Sequence, residues 1–207
     1  MRTTTPLRRA LITVTATAAV VLTATGSAVA VPLSGTAAAP HATARSLSAL
    51  HPVVELAAER LATADLVAAA KWGTDSPIDD PAREQQVLDN VAAQAQQLGA
   101  DPDEIRVIFR DQIEANKIVQ RGLFQRWSDH PDEAPTTKPD LSVVRQEINR
   151  VTGALVEALA TTADDRGAAA TCRPELLLAA LQVRHEDHLD ALHTRALARA
   201  LRSVCGS

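Results

Sequence analysis

Arg60, Lys71, Arg83 and Arg145 stand at spacings that helical geometry can aim into one pocket, in a chain that is otherwise net acidic. Arg60 and Lys71 are 11 residues apart, three helical turns plus about 20°, so they share a face. That face is otherwise built from Leu, Val and Ala. Two cations on an apolar stripe are costly to bury unless an anion meets them. The chemistry implied is capture of a small, multiply charged anion. Other polar residues recur on inward faces: Asn116 and Gln120 lie four apart and stack on one side of a helix. Gln86 follows Arg83 by one turn, and Arg145 sits between Val144 and Ile148. No nucleophile–base arrangement accompanies them.

The elements that must hold these groups read as helices throughout. No run alternates with a strand's period of two, while the helical period is widespread. Helix one is expected over about Ser46 to Trp72, with Val53, Leu56, Ala57, Leu61, Ala64 and Val67 inward and Gly73 as its stop. Asp80-Pro81 and Asp101-Pro102 each combine an N-cap with a proline at the first helical position. They open helix two, to Leu98, and helix three, to about Trp127; Glu104 adds an acid in capping-box fashion. A Pro- and Thr-rich loop covers His130 to Pro139, and helix four starts at Asp140. Thr161 to Ala170 breaks the pattern. A final helix from about Pro174 to Val204 is expected to bury Leu177, Leu181, Leu192 and Leu201.

The amino terminus carries Arg2, Arg8 and Arg9, then an apolar run and small residues ending at Ala30. That is the pattern of a secretory signal over residues 1–30, too short and Thr-diluted for an anchor. Residues 31–45 are small and aperiodic and read as a disordered lead-in, which leaves one all-helical domain over 46–207. Removing the leader, with its three arginines and no acids, takes the formal charge from −4 to −7. Such a balance argues against nucleic acid as a partner, and no later segment is apolar for long enough to span a bilayer. Cys172 and Cys205 are the two cysteines, and an even pair in an exported chain predicts one disulfide. A straight helix of that length would hold them far beyond bonding reach, so the last segment must bend or break near Asp187 to Leu189.

Taken in order, AAERLATADLVAAAKW (57–72), PIDDPAREQQV (77–87), DPDEIRVIFRDQIEANKIVQ (101–120) and DLSVVRQEIN (140–149) resemble the secreted chorismate mutases. These form the exported, disulfide-containing gamma subclass of the all-helical AroQ class. The likeness covers about residues 48 to 205. It implies an all-α bundle that converts chorismate to prephenate, the chemistry of phenylalanine and tyrosine biosynthesis, outside the cytoplasm. It implies that Arg60, Arg83 and Arg145 clamp the substrate carboxylates, and that Lys71 contacts a carboxylate and the breaking ether oxygen. Gln120 takes the position that donates to that oxygen. Asn116 stands where relatives often carry a small hydroxyl residue, and Gln86 where a polar group faces the substrate hydroxyl. The family uses neither metal nor organic cofactor. A non-catalytic module that captures a carboxylate ligand or a host partner is the alternative; homodimerisation through other surfaces is left open.

Two further groups invite attention. His185, His188 and His193 suggest a metal, yet the zinc-protease spacing requires a histidine at 189, which is Leu; they read as structural or solvated. Trp72 and Trp127 lie at helix ends and read as packing anchors.

Overall fold

Aspartate caps decide where most of the helices begin. The computed structural model describes residues 40–206, so the leader and most of the lead-in fall outside the described residues. Among them, α1 spans Pro40–Lys71, α2 Pro81–Gln97, α3 Pro102–Asp129, α4 Leu141–Thr161, α5 Ala163–Gly167, α6 Ala169–Glu186 and α7 Ala191–Ala200, with a 3₁₀ turn at Pro131–Glu133. The Asp80 side chain accepts from the Arg83 amide at 3.0 Å, and Asp101 from the Asp103 amide at 2.8 Å. Asp140 and Asp190 do the same for Ser142 and His193. Each satisfies an amide that the first turn leaves without a helical partner. Gly73 and Gly99 close α1 and α2 at φ 66° and 74°, left-handed values that glycine adopts without strain.

Helix α1 is the central element, packed against α3, α4 and α6. Its fully buried face is Leu50, Val53, Val54, Ala57, Leu61 and Ala64, while Leu56 and Val67 are half-buried. Ile105, Ile108 and Phe109 of α3 and Leu155 and Leu159 of α4 complete the core. Trp72, Phe124 and Trp127 form an aromatic cluster, with Trp72 5.1 Å from Phe124 and 5.4 Å from Trp127 between ring centres. The tryptophans thus pin the end of α1 to α3. Helix α3 also packs against α7, where Gly122 permits a close approach: a Cβ there would lie 2.6 Å from Leu192.

The carboxy-terminal segment breaks into α6 and α7 where expected, with His188 in the left-handed region at φ 52°. The break lets Cys172 and Cys205 meet, Cα to Cα 5.8 Å, in a disulfide. Four expectations need correction. Helix α1 begins upstream of Ser46, and α6 begins at Ala169 with Pro174 inside it. Leu177 and Leu181 are 60% and 51% exposed. The disulfide fixes the phase of α6, so Cys172, Leu176, Ala179 and Val183 form the buried stripe; Leu177 and Leu181 lie about 100° or more around the helix from it. Glu104 does not close a capping box. It pairs with Arg166, which is fully buried and also donates to the Leu159 and Val204 carbonyls.

Candidate active site

A cavity of about 270 Å³ lies among α1, α2, α3, α4 and the loop after α1. Arg60 and Lys71 reach it from α1, Arg83 from α2, Asn116 and Gln120 from α3, and Arg145 from α4. All four cations singled out by spacing therefore line one space. Val67, Val87, Ile113 and Ile148 give it apolar walls, and Ser76, Pro77 and Ile78 close one side.

Arg60 is 4% exposed. Its Nε donates to Thr152 Oγ1 at 3.2 Å and its Nη1 to the Gln112 carbonyl at 3.3 Å. The guanidinium carbon sits 5.6 Å from the Phe109 ring centre, a cation–π distance. Those contacts orient the fork and leave donors unspent. Burial without a carboxylate lowers its pKa to about 10. Lys71 Nζ donates to the Pro77 carbonyl at 2.8 Å. Burial lowers the Lys71 pKa; Asp80 opposes that shift and Arg145 adds to it. Arg83 Nη1 donates to Gln86 Oε1 at 3.1 Å. Arg145 is exposed and has no hydrogen-bond or ion-pair partner among the described residues. None of the four cations has a carboxylate oxygen within 4.0 Å among the described residues. None of the four is ion-paired among the described residues, although Asp80 and Glu84 share the cavity, so the cluster keeps charge for an anion that arrives from outside.

On α3, the Gln120 side-chain nitrogen donates to the Asn116 carbonyl at 3.4 Å, and Asn116 donates to the Gln112 carbonyl at 3.1 Å. Gln120 is 5% exposed and its Oε1 is buried without a partner. One amide hydrogen of Gln120 remains for a ligand. Gln86 does not line the cavity; it holds the Arg83 fork instead.

Spacing missed three charged lining residues: Asp80, Glu84 and Lys117. Asp80 was legible only as a cap. Lys117 had a signal, since it shares the α3 face of Ile113, Asn116 and Gln120 at helical intervals. Its Nζ lies 2.5 Å from Glu114, 3.2 Å from Glu84 and 3.3 Å from Asp79. Burial works against its charge, but the hydrogen bonds it donates to Glu114, Glu84 and Asp79 outweigh that and raise its pKa.

Residues 52–121 match the family model described as chorismate mutase type II. A secreted chorismate mutase of Mycolicibacterium smegmatis is 39% identical over 166 residues, which cover 80% of this chain and 91% of that one. The chain belongs to the chorismate mutases. Its mutase relatives include the secreted enzyme of Mycobacterium tuberculosis, 35% identical over 80% of this chain and 83% of that one. The crystal structure of the chorismate mutase from Burkholderia phymatum superposes on the mutase fold with a TM-score of 0.73, at 36% identity, over 78% of this chain and 99% of that one. The model's match ends on α3, so α4 with Arg145 joins the mutase frame through the longer relatives.

Proposed function

We propose that the cavity binds chorismate and carries out its rearrangement to prephenate, with Arg60, Arg83 and Arg145 on the two carboxylates. The reaction is pericyclic: the ether C–O bond breaks as a C–C bond forms, and no proton moves. Arginine suits the carboxylates because its planar fork binds them bidentately. Folding the enolpyruvyl arm over the ring is worth up to roughly 7–11 kcal/mol of the barrier where alignment is good. Lys71 and the Gln120 amide face the ether oxygen. Negative charge builds there as the bond stretches, so they stabilise the transition state more than the ground state. Asn116 supports the carboxylate end. Asp80, which lines the cavity where Gln86 does not, accepts from the substrate hydroxyl.

The observation that carries the reading is the convergence of cations without an ion-pair partner among the described residues, from three helices, on one cavity. The secreted relatives support action outside the cytoplasm, and the leader over residues 1–30 supplies the route. The test follows chorismate absorbance with residues 31–207, beside Lys71→Ala and Arg145→Ala. Loss of about 10²-fold or more in kcat/KM in each variant is expected, as for other preorganised charge contacts; equal rates in all three proteins would overturn the assignment.

A further inference from the structure

The cavity holds more than the cations that serve a dianion. Five cationic side chains line it, Arg60, Lys71, Arg83, Lys117 and Arg145, and so do two carboxylates, Asp80 and Glu84. An acid within an anion site opposes the ligand unless something cancels it. Both Glu84 oxygens lie within reach of Lys117 Nζ, at 3.2 and 3.3 Å. The same ammonium meets Glu114 on its own helix and Asp79 in the loop. Asp79 is held a second time by Arg121, at 2.7 and 2.8 Å. Lys117 is 8% exposed, and of its three acids Glu84, which lines the cavity, is the least exposed.

We infer that Lys117 is a positioning residue that keeps the site cationic: it neutralises the Glu84 carboxylate inside the cavity and ties α2 and the 73–80 loop to α3. Lys117 acts through Glu84 and touches no reacting atom. The fastening has a second effect, because Arg83 lies one residue from Glu84 and Asp80 one residue from Asp79. Holding the two acids places both neighbours. The inference rests on the cavity being an anion site and says nothing of how the ether bond breaks.

The decisive comparison is wild type, Lys117→Met, Lys117→Arg and the double variant Lys117→Met with Glu84→Gln. Turnover and calorimetric binding of chorismate are measured for each, with thermal unfolding alongside. Lys117→Met exposes an uncancelled carboxylate to the ligand, so KM and Kd should rise by about tenfold or more while kcat stays within about threefold. Removing the acid in the double variant should return KM to within about threefold of wild type, and Lys117→Arg should do the same by keeping the charge. A purely structural lysine would not be rescued by deleting its own partner. An unchanged KM in Lys117→Met overturns the inference, and so does a raised KM that Glu84→Gln fails to restore. Should Lys117→Met not fold, Lys117→Arg decides: a tenfold rise in its KM counts against charge as the operative property. Wild-type binding without turnover would remove the catalytic reading yet leave the binding series to judge Lys117.

Discussion

Replacing Gln120 by glutamate tests the proposed donor at the ether oxygen. The amide donates at every pH, whereas a carboxyl donates only while protonated and, once ionised, repels the charge that the reaction builds. Gln120 is 5% exposed with its own Oε1 unpartnered, so the exchange disturbs no contact of that oxygen. Burial pushes a carboxyl at 120 up and the cavity cations push it down. An ordinary value near 4.3 is therefore the natural anchor. Each pH unit above it removes about nine-tenths of the donating form. From about pH 5 to about pH 8 the variant should slow by roughly a thousandfold, equivalent to about 4 kcal/mol. Wild type should stay level over that range. Its alkaline limb should begin below an ordinary lysine's pKa, because burial lowers that of Lys71. The assay is kcat/KM from chorismate absorbance between about pH 5 and about pH 8, where model carboxyl and lysine values bracket the window. A Gln120→Glu profile that is flat, or a wild-type profile that falls steeply towards neutrality, would refute the donor role.

Three stability predictions follow from contacts outside the cavity. Reducing Cys172–Cys205, which are 33 residues apart in sequence, should lower unfolding free energy by about 3–4 kcal/mol on the chain-entropy model, read as a shift in urea midpoint. Arg166→Ala removes the partner of Glu104 and of the Leu159 and Val204 carbonyls. Because Glu104 retains some solvent access, the loss should be near the lower end for a buried pair, about 3 kcal/mol, or roughly 6–12 °C in Tm. His193 lies between Asp65 and Asp190, at 3.1 and 2.8 Å. The hydrogen bond its ring donates to Asp65, against burial and with help from Asp190, raises its pKa to about 9. A raised value contributes stability fully below the unfolded pKa of about 6.5 and loses it as pH climbs through 9. After allowance for solvent screening the amount is about 1–2 kcal/mol. Wild type but not His193→Gln should therefore lose that much between neutral and alkaline pH in chemical denaturation.

Short-range chemistry was what the sequence carried best. The caps at Asp80, Asp101 and Asp140, the stops at Gly73 and Gly99, and the break near Asp187 are local events, and the helices start or end there. Arg60, Lys71, Arg83 and Arg145 could be grouped because each keeps a fixed phase on its own helix. What escaped needed partners distant in sequence. Arg166 meets an acid 62 residues away, and nothing in its neighbourhood distinguishes it from a solvated arginine. Lys117 gathers acids from α2 and the loop, so its environment is tertiary. Leucines fill several faces of α6, so their pattern alone left its phase undetermined; the Cys172 bond settled which face turns inward and left Leu177, Leu178 and Leu181 outside. Gln86 was placed one turn from Arg83, which geometry honours, but the contact is with Arg83 itself.

The carboxylate-free cations have a consequence for the end of the catalytic cycle. An isomerisation conserves formal charge, so prephenate leaves with the same two carboxylates with which chorismate enters. Coulomb attraction alone holds both about equally and cannot tell the reactant from what it becomes. Discrimination falls to shape, and prephenate should act as a competitive inhibitor whose grip slackens as salt is added.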